Sequence, residues 1–482
     1  MAVEARELER IVQEVIKKIV NGSLPGSSTR HPGGIFETMD EAVKAAKCAQ
    51  KELIGLRIEE RERLLKAMRQ AAIDQAEELA RMAAEETGMG RVEDKIMKNR
   101  IAAGKTPGTE NLQPSAITGD RGLTLIELAP YGVIGAITPS TNPTATVINN
   151  SIGMVAAGNA VVFSVHPGAK NSSLRTIEIL NKAVQEAGGP ANLLTAVANP
   201  SLANTQAMME HPDVNILVAT GGPGLVKAVL SSGKKAIGAG AGNPPVIVDE
   251  TADLERAAKS IVAGASFDNN LPCIAEKEVI VVDYVANQLI SYMKQNGAYL
   301  AGANEIKALM DLVLTRDEKV QAAGCTLKPE RVYGGINKEF VGKDAQYILQ
   351  QIGVQVPADT KLIICETGED HPFVMEELMM PILPIVRVKD VQTAIEVAVR
   401  VEHGNRHTAV MHSQNIDNLS AFARAVQTTI FVKNGPSYAG IGIGGEGHTT
   451  FTIAGPTGEG LTSAKTFTRQ RRCVLVDGFS IV

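Results

Sequence analysis

Cysteine is scarce in this chain, and its few cysteines are not paired. The 482 residues include five of them, at positions 48, 273, 325, 365 and 473, with no CxxC pair among them. Disulfide frameworks and structural zinc sites both need grouped cysteines, usually in even number. The pattern therefore predicts neither of these, and it fits a reducing cytosol.

Long apolar runs and an excess of positive charge are missing as well. No stretch approaches the ~18 uninterrupted apolar residues that a membrane span needs. The chain has 48 Lys and Arg against 53 Asp and Glu, a net charge of −5, and no basic stripe that would suit a phosphate backbone. We therefore expect a soluble protein that binds neither membrane nor nucleic acid. Its length predicts two or three domains.

The two familiar glycine-rich nucleotide motifs are also absent. No Gly-Lys pair has the spacing of an ATP-binding P-loop, and the glycines of residues 238–242 precede a strand instead of opening a helix. A better candidate is "ATGGPG", where Thr220, Gly221 and Gly222 end a strand. The helix that begins at Pro223 would offer free NH groups to a cofactor phosphate. Glycine at such a turn also serves the backbone alone, so both interpretations stay open.

What the chain does contain is a long alternation of apolar strands and amphipathic helices. It runs through residues 122–249 and begins again after Asp249. Strands that alternate with helices of this length imply parallel sheets with right-handed crossovers. We predict two α/β lobes with a cleft between them, the first with a nucleotide-binding architecture. The strand-like C-terminal segment "RRCVLVDGFSIV" has nothing after it to cover it, which is typical of strands that pair with another chain.

The N-terminus shows the pattern of an amphipathic helix followed by a polar linker. In "ELERIVQEVIKKIV" the apolar residues recur at helical spacing, and charged residues occupy the other face. Those charges exclude the continuous apolar core of a signal peptide. An isolated helix of this length is marginal in water, so its apolar face must pack against something. It either folds back onto its own chain or acts as a docking tag on a mobile tether.

Cys273 raises the main chemical question, because it stands directly before the strand-like run "KEVIVV". Cysteine is the most nucleophilic side chain near neutral pH, and a loop before a strand can expose it beside backbone NH groups. A lone cysteine next to an apolar strand is also commonly inert packing. The residues alone leave these two interpretations open.

Three histidines raise a separate possibility, a metal site. His403, His407 and His412 lie within ten residues of one another, but Gly404 interrupts any helix there. The spacing matches no zinc pattern. We therefore predict loop and strand histidines and no metal.

Several blocks of the sequence together resemble the aldehyde dehydrogenase superfamily, and within it the CoA-acylating branch. The resemblance extends from Ile35 to Val482, and it is closest to the microcompartment-associated propionaldehyde and ethanolamine-pathway acetaldehyde dehydrogenases. It implies an α/β fold with a Rossmann-like cofactor domain, an α/β catalytic domain and an oligomerisation arm. The blocks are "TPSTNPT", "HPGAK", "ATGGPG", "GAGAGNPPVIVDETADL", "SFDNNLPCIAEK" and "VKNGPSYAGIGIGGEG".

The resemblance and the residue order together predict a domain plan. In microcompartment relatives the N-terminal helix docks on shell proteins, so residues 3–20 resemble an encapsulation tag. This implies a protein in the lumen of a bacterial microcompartment within the cytoplasm, as a homodimer or homotetramer. The predicted units are an amphipathic helix (1–20), a linker (21–34), a cofactor-binding domain (35–245, of which 114–135 contribute to the oligomerisation arm), a catalytic domain (246–440) and a return segment with a C-terminal oligomerisation strand (441–482).

The resemblance also implies a reaction. Cys273 matches the nucleophile that attacks a short aldehyde, propionaldehyde or acetaldehyde, and Asn142 with the backbone NH of Cys273 would hold the oxyanion. Hydride would pass to NAD, and the thiol of coenzyme A would then release the acyl group, assisted by His407. Glu377 matches the glutamate that contacts the nicotinamide ribose. The other cofactor-binding candidates are Thr138, Pro139, Ser164, His166, Thr220, Gly221 and Gly222.

The chain departs from the hydrolytic members of the superfamily at three places. Ala239 stands where those relatives carry the glutamate that activates water, a loss of general-base help commonly worth ~10²–10⁴-fold, so a better nucleophile such as the CoA thiol is required. Asn142 stands one residue later than the hydrolytic asparagine, which makes Thr141 the substitute candidate. Ser164 and Pro167 replace the residues that grip the adenine ribose, which leaves NADP open beside NAD.

Two other functions remain as alternatives. One is a hydrolytic aldehyde dehydrogenase that produces a carboxylate, which Ala239 disfavours. The other is an inert microcompartment assembly protein, which the retention of Cys273 with its loop disfavours.

Overall fold

The computed structural model describes residues 32–316 and 333–481. The predicted N-terminal helix, most of the predicted linker and Cys325 lie outside these ranges. Pro32–Gly34 form a 3₁₀ turn, and the Asn181 side chain donates a hydrogen bond of 2.9 Å to the carbonyl of Gly33. The last three residues of the segment predicted to be a linker therefore belong to the fold.

The first half of the described chain alternates strands and helices after an initial group of helices. The first helix begins at Thr38, whose side chain accepts a hydrogen bond from the NH of Glu41 while the Glu41 carboxylate accepts from the Thr38 NH, so two free donors are satisfied. Its elements are β1 (Ile35–Phe36), α1 (Met39–Leu53), α2 (Ile58–Asp74), α3 (Ala76–Thr87), α4 (Val92–Lys105), β2 (Ser115–Gly119), β3 (Gly122–Pro130), β4 (Val133–Ile137), α5 (Pro143–Ala156), β5 (Ala160–Ser164), α6 (Lys170–Glu186), β6 (Leu194–Val197), α7 (Leu202–Glu210), β7 (Ile216–Thr220), α8 (Pro223–Leu230) and β8 (Lys235–Ala239).

The second half repeats the alternation around another sheet. Its first helix is capped by Asp253, whose carboxylate accepts from the NH of Arg256. Its elements are β9 (Pro245–Val248), α9 (Leu254–Ser266), β10 (Glu278–Val282), α10 (Asp283–Gln295), β11 (Ala298–Leu300), α11 (Ala303–Val313), β12 (Leu314–Arg316), β13 (Tyr333–Ile336), α12 (Ala345–Gln351), β14 (Leu362–Glu366), α13 (Pro372–Met375), β15 (Ile382–Val388), α14 (Val391–Val401), β16 (Thr408–His412), α15 (Ile416–Val426), β17 (Ile430–Lys433), β18 (Ile453–Ala454), β19 (Gly460–Leu461) and β20 (Thr468–Val476).

Two parallel sheets organise the molecule. The first has the strand order β1-β6-β5-β4-β7-β8, and the second has the order β11-β14-β15-β10-β9-β16-β17. Strands β4, β5, β9 and β10 are buried along their whole length, as expected when helices cover both faces of a parallel sheet. The predicted α/β architecture with parallel sheets is confirmed.

A third, antiparallel sheet stands apart from these two and has the order β2-β3-β20. Strand β20 pairs with the central strand β3, with Thr468 opposite Pro130 at one end and Val476 opposite Gly122 at the other. Every residue of β20 after Thr468 is exposed. This sheet joins residues from the two predicted arm segments.

The two parallel sheets meet where the chain crosses from one to the other. Residues 240–244 lead from the carboxyl end of β8 directly to the amino end of β9. The carboxyl edge of the first sheet therefore adjoins the amino edge of the second. In the described parts of the chain, no helix is both long and apolar enough to cross a membrane.

Candidate active site

The strand order of the second sheet brings four predicted or newly found site residues together. Strands β15, β10, β9 and β16 are neighbours in that order. Because they are parallel, their amino ends meet at one edge. The residues that lie shortly before these strands, in the same order, are Glu377, Cys273, Gly242 and His407.

Cys273 lies in a strained loop between α9 and β10. The three residues Asp268, Asn269 and Asn270 have positive φ angles of 47°, 55° and 66°, a conformation that residues other than glycine seldom adopt. The Asn270 side chain donates hydrogen bonds to the carbonyls of Ala265 (2.8 Å) and Glu276 (2.9 Å). These bonds hold both ends of the loop, so the position of the thiol is fixed by its surroundings.

Gly242 separates the cysteine loop from His407. A Cβ atom at Gly242 would lie 2.7 Å from the carbonyl oxygen of Cys273 and 2.9 Å from Cγ of His407. Its NH also faces the Glu377 carboxylate and lowers the pKa of that group. Only glycine allows these three groups to approach one another around a single backbone position.

The surroundings of Cys273 keep its thiol protonated. Burial, and next the negative charge of Glu377, raise the pKa of Cys273 to about 12, while the positive charge of Lys277 opposes them. Burial raises the pKa of Glu377 to about 7, so this carboxyl exchanges protons near neutral pH. Lys277 Nζ lies 4.0 Å from Glu377 Oε1 and donates to both oxygen atoms of Asn270, at 2.9 and 2.7 Å.

His407 presents one free ring nitrogen at the same edge. Its Nδ1 lies 2.9 Å from Thr408 Oγ1, and its buried Nε2 has no hydrogen-bond partner among the described residues. Burial, and next the charge of Lys277, lower the pKa of His407 to about 4. When Nδ1 carries the ring proton and donates a hydrogen bond to Thr408 Oγ1, Nε2 carries no proton and can accept one.

Asn142 and Thr141 lie together at the start of α5. Lys98 Nζ donates to Asn142 Oδ1 over 2.5 Å, and Asn142 Nδ2 lies 3.4 Å from Thr141 Oγ1. Lysine carries only donors, so the amide oxygen faces Lys98 and the amide NH₂ points away from it. Both residues are half-buried, and both stay candidates for the oxyanion contact.

Most of the predicted cofactor residues lie at the carboxyl edge of the first sheet. Ser164 ends β5, Thr138 follows β4 and Thr220 ends β7, and these three strands are neighbours. The buried Thr138 Oγ1 has no hydrogen-bond partner, whereas Ser164 Oγ bonds Thr205 Oγ1 at 2.8 Å and Thr220 Oγ1 bonds Thr452 Oγ1 at 2.9 Å. This edge is where open α/β sheets bind ligands.

Pro139 and His166 also lie beside this edge, but they offer fewer groups that could bind a cofactor. Pro139 follows Thr138 directly and is half-buried. His166 is exposed, and its Nδ1 accepts a 3.0 Å hydrogen bond from the NH of Gly168. In this conformation the His166 ring supports its own loop.

A groove of about 310 Å³ runs along α8, from Pro223 at its start to Leu230 at its end. Pro223 and Val226 line one wall of it, and Gly240 and Ala241 line another. No side chain caps the helix at Gly222, so its first NH groups are available to an anion. The groove therefore connects a helix N-terminus with the crossing segment that leads to Gly242.

Ala239 ends β8 and is 3 % exposed. Its carbonyl accepts a 3.0 Å hydrogen bond from the NH of Gly221. Its methyl side chain offers no proton acceptor at this point of the site.

Sequence reasoning did not find Lys277, Lys98 or Gly242 as site residues. Lys277 and its neighbours are charges at the start of an apolar strand, and that mismatch was the available signal. Lys98 lies in a strongly charged helical region, where a buried lysine cannot be told from exposed ones. Gly242 is one of several glycines in a short stretch, and its close contacts are visible only in three dimensions.

Glu278, the first residue of β10, has a fully buried carboxyl group. In the part of the chain that the structure describes, neither of its oxygens has a hydrogen-bond partner. Burial raises its pKa well above 4.5, and Lys277 opposes that shift. The folded protein therefore binds a proton that the unfolded chain releases above about pH 4.5, so stability falls as the pH rises above this value. We expect Glu278→Gln to make the free energy of unfolding fall less steeply with pH, by up to about 1.4 kcal/mol per pH unit. The measurement is the thermal unfolding midpoint of both proteins, recorded from about pH 5 to about pH 8.

Glu276 provides the matched control. It is equally buried, and burial raises its pKa to about 7, but its oxygens accept hydrogen bonds of 2.7 Å from the NH and the hydroxyl of Ser437. Glu276→Gln replaces one of these acceptors by a donor and should lower the unfolding midpoint at every pH. A Glu278→Gln variant that is as unstable at pH 8 as Glu276→Gln would contradict the expectation.

Comparison with known proteins places the chain in a family. The family model described as "Aldehyde dehydrogenase family" matches residues 29–315, more than half of the chain. The chain belongs to the aldehyde dehydrogenase family, as its motifs predicted.

The similar proteins narrow this class to its acylating members. The acetylating acetaldehyde dehydrogenase EutE of Salmonella typhimurium is 51% identical over 478 residues, which cover 99% of each chain. A structure of Rhodopseudomonas palustris propionaldehyde dehydrogenase with bound CoA and an acylated cysteine is 56% identical, with a TM-score of 0.87 over 92% of this chain and 98% of that one. The propionaldehyde dehydrogenase of the Clostridium phytofermentans fucose utilisation bacterial microcompartment is 52% identical, with a TM-score of 0.88 over 93% of this chain and 100% of that one.

Proposed function

We propose that Cys273 is the nucleophile of a CoA-acylating aldehyde dehydrogenase, which oxidises a short-chain aldehyde with a nicotinamide cofactor and coenzyme A to the acyl-CoA. The observation that carries this proposal is the edge of the second sheet, where Cys273 lies between Glu377 and His407. That arrangement combines a nucleophile with two proton-exchanging groups.

The first step is the attack of Cys273 Sγ on the aldehyde carbonyl. The pKa of this thiol is about 12, so the attack needs a proton acceptor. We assign this role to Glu377, whose charge faces the thiol and whose pKa of about 7 suits proton exchange at neutral pH. The backbone NH of Cys273 and the side chain of Asn142 or Thr141 would hold the oxyanion.

The cofactor site suits a dinucleotide. The uncapped start of α8 would hold a phosphate, and the unpartnered Thr138 hydroxyl offers a hydrogen bond to the bound molecule. Glu377 remains the proposed contact of the nicotinamide ribose. A nicotinamide held there would supply the hydride acceptor, and the thiohemiacetal on Cys273 would then become a thioester.

The acyl group is then transferred from Cys273 to coenzyme A. Ala239 offers no base to activate water, whereas the thiol of CoA is a strong nucleophile towards thioesters. We propose that His407 Nε2 accepts the proton of that thiol. This nitrogen has no hydrogen-bond partner among the described residues, and Gly242 lies between the His407 ring and Cys273. Transfer of the acyl group to CoA is reversible, because the Cys273 adduct and the acyl-CoA are both thioesters.

Product analysis with and without CoA tests this function. We expect steady cofactor reduction only with CoA present, faster by about 10²-fold or more than without it, and acyl-CoA as the product. Initial rates from acetaldehyde to pentanal, with NAD and with NADP, would identify the preferred aldehyde and cofactor. Full-rate turnover without CoA, with carboxylate as the product, would instead show a hydrolytic enzyme.

We further propose that the protein works inside a bacterial microcompartment of the cytoplasm and binds its shell proteins through residues 3–20. The amphipathic pattern of these residues and the similarity to a microcompartment enzyme support this. Deletion of residues 1–20 should leave turnover unchanged and end co-purification with shells; retained co-purification would argue against the tag.

We also propose that the third sheet is the oligomerisation arm. Its exposed strand β20 carries the large apolar residues Val474, Leu475 and Val476 on the surface. Such a surface is typical of contacts with another copy of the chain. We propose a homodimer or homotetramer, which light scattering of the purified protein would distinguish from a monomer.

A further inference from the structure

We propose that Lys98 is a positioning residue for the acylation half of the reaction, because it fixes the orientation of the Asn142 amide. This inference rests on the proposed function and selects Asn142, of the two candidates Asn142 and Thr141, as the residue whose side chain stabilises the oxyanion. It concerns a side chain of α4, a helix that supplies none of the residues predicted to act on the substrate.

The contacts of Lys98 link two parts of the site. Its Nζ donates to Asn142 Oδ1 over 2.5 Å and forms an ion pair with Asp268. Asp268 lies five residues before Cys273, in the same strained loop. One amine therefore joins the cap of α5, which carries the oxyanion candidate, to the loop that carries the nucleophile.

The charged groups around Lys98 are buried, and two lysines share one carboxylate. The side chains of Lys98, Lys95 and Asp268 are 2 %, 3 % and 0 % exposed. Lys95 Nζ lies 3.1 Å from the same oxygen of Asp268, and the NH of Arg91 donates to the other oxygen over 2.7 Å. Because buried charges without partners are strongly destabilising, this network holds each member in one place.

The orientation of the Asn142 amide follows from this network. An asparagine side chain can turn by 180° with little change in shape, which would exchange its donor and its acceptor. Lys98 permits only the orientation with Oδ1 towards Nζ. Asn142 Nδ2 then donates one hydrogen to Thr141 Oγ1 over 3.4 Å, and its second hydrogen is available to a developing oxyanion without reorganisation during the reaction.

Lys95 and Lys98 form a matched pair for mutation. Each is a buried lysine of α4 paired with Asp268, and removal of either leaves the other to balance that carboxylate. Lys98 bonds the Asn142 side chain, whereas Lys95 reaches only the backbone carbonyl of Thr141, at 3.5 Å. Lys98→Gln and Lys95→Gln therefore differ chiefly in the Asn142 contact.

The test measures pre-steady-state and steady-state rates of both variants of the full-length enzyme. We expect Lys98→Gln to lower kcat for aldehyde oxidation about 100-fold with little change in the KM for aldehyde, the size of effect seen when an oxyanion donor is lost. Lys95→Gln should stay within about threefold of the parent enzyme. Lys98→Arg, which keeps the charge and the donors, should restore most of the rate.

A double-mutant cycle separates positioning from a merely structural effect. If Lys98 acts through Asn142, Lys98→Gln should add almost nothing to the loss caused by Asn142→Ala. Asn142→Asp keeps the acceptor for Lys98 but removes the donor, so it should be as slow as Asn142→Ala. This variant tests the inference even if Lys98→Gln does not fold.

Three results would overturn the inference. They are equal losses in Lys98→Gln and Lys95→Gln, full additivity with Asn142→Ala, and normal activity of Asn142→Asp. Cys273→Ala should be inactive whichever of these results is obtained. An active Cys273→Ala enzyme would refute the proposed function itself, not only the role of Lys98.

Discussion

Alanine at position 273 should end aldehyde-dependent reduction of the nicotinamide cofactor, with kcat/KM falling by at least about 10⁴-fold. Without Sγ there is no covalent adduct, and hydride transfer from a free hydrated aldehyde lacks the activation that the thiohemiacetal provides. The measurement is the absorbance of the reduced cofactor with propionaldehyde and with acetaldehyde, each in the presence of CoA. A mass spectrum of the trapped enzyme should show the acyl adduct only in the parent protein.

Cys365 offers a matched control for this variant. It is fully buried in β14, and burial raises its pKa to about 12, as it does for Cys273. Cys365 lies within its strand in the apolar core, not at the amino edge where the site residues meet. Cys365→Ala should lower the thermal unfolding midpoint and leave kcat/KM within about threefold of the parent value. Turnover by Cys273→Ala, or its loss in folded Cys365→Ala, would show that the wrong cysteine was assigned.

Glutamine at position 407 should separate the two halves of the reaction. Acylation of Cys273 does not use His407 in the proposed mechanism, so the first equivalent of reduced cofactor should still form rapidly. Release of the acyl group to CoA should then slow by about 10²–10⁴-fold, because the CoA thiol loses its proton acceptor. Stopped-flow absorbance should therefore show a burst of about one equivalent per active site followed by a slow steady state.

His412 is the control for His407. Both lie at or just before β16, both have a buried Nε2 without a hydrogen-bond partner, and burial lowers the pKa of both to about 4. His412 lies at the far end of the strand, away from Gly242 and the cysteine loop. His412→Gln should keep the parent steady-state rate within about threefold. Loss of the burst in His407→Gln would show that His407 serves acylation instead.

The architecture was largely predictable from the sequence, because alternating strands and helices allow few arrangements. The apolar run after Lys277 predicted β10, and the glycines at 221 and 222 predicted the turn into α8. The contacts between the two lobes were not predictable. They depend on which face of α4 meets the loop at Asp268, and the charge pattern of that helix does not distinguish a buried lysine from an exposed one.

The candidate site was predictable only through resemblance to a known family. The thiol pKa does not distinguish Cys273 from Cys365, because burial raises both to about 12. The two differ in exposure, since Cys273 is partly exposed and Cys365 is buried, but that difference is visible only in the folded structure. The distinction lies in the strand order, which brings the loops before β15, β10, β9 and β16 to one edge. That order is a property of the folded sheet and is not written in any local pattern.

The pairing of β20 with β3 has a consequence for how the protein is made. The ribosome delivers β3 long before β20, because these partners come from residues 122–130 and 468–476. Until β20 has emerged, β3 has only β2 beside it, and a two-stranded hairpin is marginal in water. The first lobe can fold during synthesis, but one edge of β3 stays open to other nascent chains until β20 pairs with it. The third sheet is therefore completed only after every strand of the two parallel sheets has been synthesised, and any subunit contact through β20 must wait for it.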